Sequence, residues 1–190
     1  MQYFQIAQEA LQQVLRQGLS LGADYVDIYL EHSSATNVSI MPTGENRASQ
    51  NIDYGAGVRV IEGEKTGYAY TEQITPESLM QAVRQAAGIR HSVKDSHTFH
   101  PFRRFSGPMP SAIYTNHDLA FQPDGAQIER LVSYLREMRE KLFAADGRIV
   151  NVGGVVRNRV KRVAIVNSLG IVCEEERPMT DVTLNAVIRH

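Results

Sequence analysis

The histidines are the first residues to weigh for chemistry. Six lie along the 190 residues, at His32, His91, His97, His100, His117 and His190. His91, His97 and His100 fall close together and invite a metal reading. Zinc helices place two histidines four apart with a glutamate between them, and other zinc sites use Cys-x-x-Cys pairs. Here the spacings are six and three, in a stretch without helical period, and Asp95 is the nearest carboxylate. Solvated loop histidines are the better account, so no metal ligand is assigned. Cys173 is the only cysteine. Neither it nor Ser168 sits in a nucleophile's context such as a Gly-x-Ser-x-Gly elbow. No acid, base and nucleophile assemble by motif, and no catalytic residue is assigned.

Three further patterns could bind rather than react. Gly55-Ala56-Gly57 lacks the third glycine of a dinucleotide loop and enters a strand rather than a helix, so bending between two strands is the better account. Phe99, Phe102, Arg103, Arg104 and Phe105 interleave aromatic and basic groups as single-strand nucleic-acid binders do. In a chain of net charge −1 that patch reads instead as aromatic anchors for a loop. Tyr68 and Tyr70 share one strand face opposite Ala69. Cross-strand packing is their default role. Exposed beside a groove, they are the candidate contacts for a peptide or a partner protein.

These residues need elements to hold them. With 43% apolar and 22% charged residues, the composition is that of an ordinary globular protein with no general pull toward nucleic acid or membrane. No apolar run is long enough to span a bilayer, and a single cysteine fits a reducing cytoplasm. Phe4, Ala7, Leu11, Val14 and Leu15 trace one face of a helix, with Gly18 and Gly22 as its expected stops. Val26, Ile28 and Leu30 then alternate with Tyr25, Asp27, Tyr29 and Glu31, the period of a half-buried strand. Short strands follow at 37–40, 47–52, 57–61 and 66–71, with turns at Pro42-Thr43-Gly44 and Glu62-Gly63-Glu64. Thr75-Pro76 opens a helix whose expected buried stripe is Leu79, Val83, Ala86 and Ile89.

Residues 91–124 have no period, and Asp124-Gly125-Ala126-Gln127 resembles a capping box. The helix after it carries Ile128, Leu131, Val132, Leu135, Met138 and Leu142 on one face. Strands at 149–157, 160–166, 171–175 and 181–189 complete the chain, with a hairpin turn at Asn167-Ser168-Leu169-Gly170. The expected class is α+β, with antiparallel sheets in runs of strands backed by three amphipathic helices. The expected organisation is a helix–meander–helix unit at 1–91, a long irregular loop at 92–125, and a helix with antiparallel strands at 126–190. Val182, Leu184, Ala186 and Ile188 alternate with polar residues to the end of the sequence, as in a strand cut short. An exposed edge there predicts self-association through the C-terminal strands.

The stretch Gly22-Ala23-Asp24-Tyr25-Val26-Asp27-Ile28-Tyr29 resembles the TldD/PmbA family, historically labelled modulator of DNA gyrase. So do Asn51-Ile52-Asp53-Tyr54-Gly55-Ala56-Gly57-Val58-Arg59-Val60-Ile61 and Lys65-Thr66-Gly67-Tyr68-Ala69-Tyr70-Thr71. Asn167-Ser168-Leu169-Gly170 with Arg177-Pro178 resembles a second family segment. The Gly-Tyr-Ala-Tyr-Thr strand looks more like the TldD branch. The resemblance implies a cytoplasmic zinc metallopeptidase subunit that acts on unfolded or modified peptides and pairs with a PmbA-like (TldE) subunit. It implies zinc on a His-Glu-x-x-x-His helix in a C-terminal half, where the metal would activate a water and the glutamate act as general base. No His-Glu pair occurs in this sequence, so no family ligand carries over. The expectation is an N-terminal, substrate- and partner-contacting portion that is inactive alone and holds no cofactor. A non-catalytic module that docks a partner or peptide is the alternative. A topoisomerase regulator is a third reading, which the balanced charge does not support.

Overall fold

The computed structural model describes residues 3–91 and 125–189. Their order is α1 (Gln8–Ser20), β1 (Tyr25–Ile40), β2 (Asn46–Glu62), β3 (Lys65–Thr71), α2 (Pro76–His91), α3 (Gly125–Ala145), β4 (Ile149–Asn167) and β5 (Val172–Ile188). The strands form one five-stranded antiparallel sheet in the order β3-β2-β1-β4-β5. With its three helices the fold is α+β, as the runs of strands predict. The irregular segment, His97, His100, the Phe99–Phe105 patch and the Asp124 cap lie outside the described residues.

The strands are longer than sequence punctuation implied. The segments expected before and after residue 35 are one strand, β1, and Gly55-Ala56-Gly57 sits inside the continuous β2. Arg177-Pro178 likewise lies within β5. Proline is tolerated there because β5 is an edge strand, whose outward N–H groups need no ladder partner. The turns fall where expected. Gly44 (φ +91°) closes the β1–β2 turn, and Gly63 (φ +58°) closes the β2–β3 hairpin beside the pair Glu62 and Lys65.

By its internal contacts the described chain divides into two units. The first holds residues 3–32, 53–91 and 162–176, and the second holds 33–52, 125–161 and 177–189. In the first unit α1 buries Leu11, Val14 and Leu15, and α2 packs against both β3 and α1. Val26, Ile28 and Leu30 of β1 and Ala56, Val58 and Val60 of β2 meet them in a continuous core. Alternation along each strand sends these side chains to one face of the sheet. Gly22 ends α1 as expected, but Gly18 does not. A Cβ on Gly18 would lie 2.6 Å from Val26 Cγ2 and 3.0 Å from Val83 Cγ2, so this glycine lets helix, strand and second helix approach. Helix α2 opens with a reciprocal cap: Ser78 N–H donates to Thr75 Oγ1 and Thr75 N–H donates to Ser78 Oγ, each at 3.2 Å. Its buried stripe is Leu79, Ala82, Val83, Ala86 and Ala87, while Ile89 is half exposed and off that face.

The second unit has a thinner core. α3 presents the expected stripe, but only Leu135 is fully buried, packing with Val38, Ile40 and Val156. Ile128, Leu131, Val132 and Leu184 are partly covered around them. Arg139 ties the helix down by donating to the carbonyls of Val152 and Pro42, both at 3.3 Å.

Candidate functional site

The inward set of Val26, Ile28, Leu30, Ala56, Val58, Val60 and Ala69 fixes what the opposite face of the first unit presents. Tyr25, Asp27, Tyr29 and Glu31 of β1, Arg59 of β2, and Tyr68 and Tyr70 of β3 alternate with those buried residues and share the outward face. Tyr68 and Tyr70 are 54% and 59% exposed, among the most open large side chains of the described residues.

Their posture depends on glycine. Tyr70 is paired with Gly57 across the ladder and Tyr68 with Arg59. Each ring leans diagonally over a glycine. A Cβ on Gly57 would meet Tyr68 Cζ at 2.6 Å, and one on Gly55 would meet Tyr70 Cε2 at 3.0 Å. The two glycines therefore do not bend the chain between strands. They clear a lane in which two tyrosine rings lie against the sheet, each covering backbone that has no side chain of its own. One ring face of each covers the lane and the residues stay open to solvent, an arrangement that suits stacking against side chains of an extended peptide.

Beside them, Arg59 grips Asp27 through both Nε and Nη2, with Nε 3.1 Å from Oδ2. The Asp27 hydrogen bonds hold the Arg59 guanidinium above its ordinary range. Burial first, then the Asp27 carboxylate, push the Tyr25 hydroxyl above its ordinary value. The Tyr29 hydroxyl donates to Glu31 Oε2 at 2.6 Å. The face is thus ordered and rich in tyrosine hydroxyls, with its charges held by named partners.

A second cluster in this unit was not legible in advance. Tyr3, Phe4, Gln5, His32, Tyr54 and Ile74 line an open cavity of about 490 Å³. The Tyr3 hydroxyl is hydrogen bonded to His32 Nδ1, and the two rings stack with centroids 5.6 Å apart. Tyr54 meets His32 edge-on, also at 5.6 Å. The Arg162 guanidinium lies 4.4 Å above the Tyr3 ring and donates to Glu176 Oε2 at 2.5 Å. Desolvation pulls the Arg162 pKa down, but Tyr3 and Glu176 more than offset it and it stands raised. His32 is therefore an aromatic partner that pins the N-terminal segment. Nothing in the spacing of residues 3, 32, 54 and 162 announces their meeting.

The remaining candidates are structural. Ser168 Oγ accepts from Val26 N–H at 3.1 Å, and Ser168 N–H donates to Val26 O at 2.8 Å. Asn167 Oδ1 accepts from Leu169 and Ile171 N–H at 3.0 and 3.1 Å, and Gly170 takes φ +84°. The Asn-Ser-Leu-Gly turn thus clamps itself and holds the start of β1. Cys173 is a partly exposed free thiol. Among the described residues no three or more His, Cys, Asp or Glu side chains converge as a metal site would require. Among them also, no helix is long and apolar enough to cross a membrane.

Comparison with known proteins gives this geometry a context. Residues 26–90 match the PmbA/TldA metallopeptidase domain 1, and residues 121–190 match the PmbA/TldA metallopeptidase central domain. A metalloprotease TldD homolog of Haemophilus influenzae is 28% identical over 87% of this chain and 33% of its own length. A metalloprotease TldD homolog of Buchnera aphidicola from Acyrthosiphon pisum is 22% identical over 94% of this chain and 35% of its own. The chain spans about a third of the length of these relatives. The crystal structure of TldE from Thermococcus kodakarensis shares the fold with a TM-score of 0.75 and 21% identity, over 95% of this chain and 40% of that one.

Proposed function

The chain belongs to the PmbA/TldD metallopeptidase family, and from that premise we propose that it is the N-terminal, substrate- and partner-contacting portion of a TldD-like zinc metallopeptidase subunit. The subunit acts on unfolded or modified peptides in the cytoplasm, paired with a PmbA- or TldE-like subunit or with itself. The observation that carries this reading is the succession of two domains of one family, the first and the central, in family order along the chain.

The division of labour follows from the residues present. The described part offers no convergent ligand set for zinc, so no catalytic step is assigned to it. Zinc and its general base belong to a C-terminal half beyond this sequence. What this portion supplies is surface. Tyr68 and Tyr70 present exposed rings on the outward face of an edge strand, where an extended peptide or a partner loop can lie across them. The same exposed pair favours a second reading, a module that docks a partner or peptide without cleaving anything.

One experiment separates them. The complete gene product and residues 1–190 are purified, assayed for zinc by elemental analysis, and given an unstructured peptide with and without chelator. The peptidase reading expects chelator-sensitive turnover from the complete product alone. Stoichiometric zinc and turnover in residues 1–190 would overturn the division of labour. Peptide binding without hydrolysis by the complete product would favour the docking module. Within the peptidase reading, Y68A/Y70A raises KM several-fold with kcat little changed if the pair contributes binding common to ground and transition states.

A further inference from the structure

The short segment ahead of α1 carries an unusual backbone. Gln5 takes φ +50°, and among the described residues it is the one non-glycine with a positive φ. The β-carbon of an L-residue is crowded in that left-handed region, where glycine or asparagine ordinarily stands. Such a conformation persists only where the surroundings impose it.

Here the neighbours impose it. Phe4 and Ile6, on either side of Gln5, are 4% and 6% exposed and belong to the first unit's core, while Gln5 itself is exposed. Tyr3 is gripped by side chains of two strands. Its hydroxyl is hydrogen bonded to His32 Nδ1 of β1, and the Arg162 guanidinium of β4 lies 4.4 Å above its ring. Arg162 is held in turn by Glu176 of β5. The opposite end of the segment is fixed less firmly. Helix α1 starts beyond Ala7 without a side-chain cap bond, and the link from Leu11 N–H to Ala7 O is a long 3.4 Å. The packing beside the anchors is also open. Tyr3, Phe4 and Gln5 form one wall of the cavity of about 490 Å³, and His32, Tyr54 and Ile74 form the rest. A wall that faces open space forfeits contacts on that side, so it is displaced more easily than close-packed core.

Strain at Gln5, anchoring by side chains alone at Tyr3, and open space beside both describe a part that can move separately. We propose that residues 3–6 are a strap, hinged at Ala7, that opens as a unit while α1, α2 and the strands stay folded. Closed, it lays Tyr3 on the His32 ring and Phe4 beside Tyr54, with centroids 5.6 and 6.5 Å apart. Open, it relieves Gln5 and uncovers an aromatic pair that belongs to β1 and β2. The strap is thus a two-position cover over the His32–Tyr54 end of the core. It does not depend on the peptidase reading, which stands or falls on zinc and hydrolysis.

The test reads thiol labelling in the complete gene product, with each label located by peptide mass mapping so that other cysteines do not interfere. A buried thiol reacts only when its surroundings open. Ile6→Cys is expected to label at least about a hundred-fold faster than Val83→Cys in α2, because the strap opens without the core. Gln5 is exposed, so its replacement changes the backbone rather than the packing. With Ile6→Cys as reporter, Q5V, a β-branched residue that tolerates positive φ poorly, labels about ten-fold faster than Q5G, which accepts it freely. His32→Phe keeps a ring under Tyr3 but removes the acceptor, and raises the same rate about five-fold. The Val83→Cys rate stays the same in all three backgrounds. Labelling of Ile6→Cys no faster than of Val83→Cys, or a rate indifferent to residue 5 or to His32, overturns the inference.

Discussion

In the first unit two helices close over one face of the strands, and nineteen residues are buried together. In the second unit a single helix does so, and four are. The residues of β1, β2, β4 and β5 are shared between both units, so strand propensity does not separate them. What separates them is cover. Where α1 and α2 supply apolar faces, the alternate residues of the strands become core. Where only α3 does, a residue of the same type on the covered side of the sheet, Val182, stays open to solvent. Burial, more than pattern, decides which apolar residues stabilise.

The largest test of that contrast is a pair of matched truncations. Leu79 and Leu135 are both fully buried. Leu79→Ala is expected to cost about 4 kcal/mol, because its neighbours are themselves buried and the cavity cannot collapse. Leu135→Ala, ringed by partly exposed residues that can close in, is expected to cost about 2.5 kcal/mol. Equal losses in denaturant titrations would break the comparison. Next comes Gly18→Ala. Removing a helical glycine gains about 1 kcal/mol in propensity, but the Cβ meets Val26 at 2.6 Å in a packed core. A net loss of about 1–2 kcal/mol is expected. A stabilised variant would mean that the first unit packs more loosely than its buried residues imply.

Thr75→Ala sharpens the same point at the helix end and is expected to cost about 1 kcal/mol by removing the Ser78 N–H acceptor. The smallest effect lies on the outward face. Because the Tyr25 pKa is raised in the fold, its neutral form is favoured there. Its stabilisation is fully present below the ordinary tyrosine value and is lost as pH rises through the raised one. Asp27→Asn removes a charge that raises this pKa. Residue-resolved NMR titration should show Tyr25 ionising at lower pH in that variant than in the parent. No downward movement would remove Asp27 from the causes.

Much of this organisation was legible in residue order. The period of two at Val26, Ile28 and Leu30 placed β1, and Thr75-Pro76 placed the start of α2 to the residue. The shared face of Tyr68 and Tyr70 followed from their spacing alone. The lane beneath them did not, because Gly55 and Gly57 read as breaks until the register of β3 put rings over them. Strand lengths were lost for the same reason: glycine and proline punctuate a sequence whether or not a neighbouring strand carries the chain through. The cluster of Tyr3, His32, Tyr54 and Arg162 joins four separate segments, and local pattern says nothing about such meetings.

The Asn-Ser-Leu-Gly turn has a consequence for the order of assembly. Its Ser168 is bonded to Val26 through both backbone and side chain, across 142 positions of sequence. Ala164 and Val166, on the strand that leads into the turn, are part of the first unit's core. Val26 therefore waits for a residue made 142 positions later before its sheet is closed on that side. Contacts of such separation are slow to form, since the intervening chain must give up its freedom first. During synthesis β1 passes through an interval with one neighbour, β2, and an open flank. Chaperone capture, or misPairing with another nascent chain, would fall within that interval, and a pause after residue 91 would lengthen it.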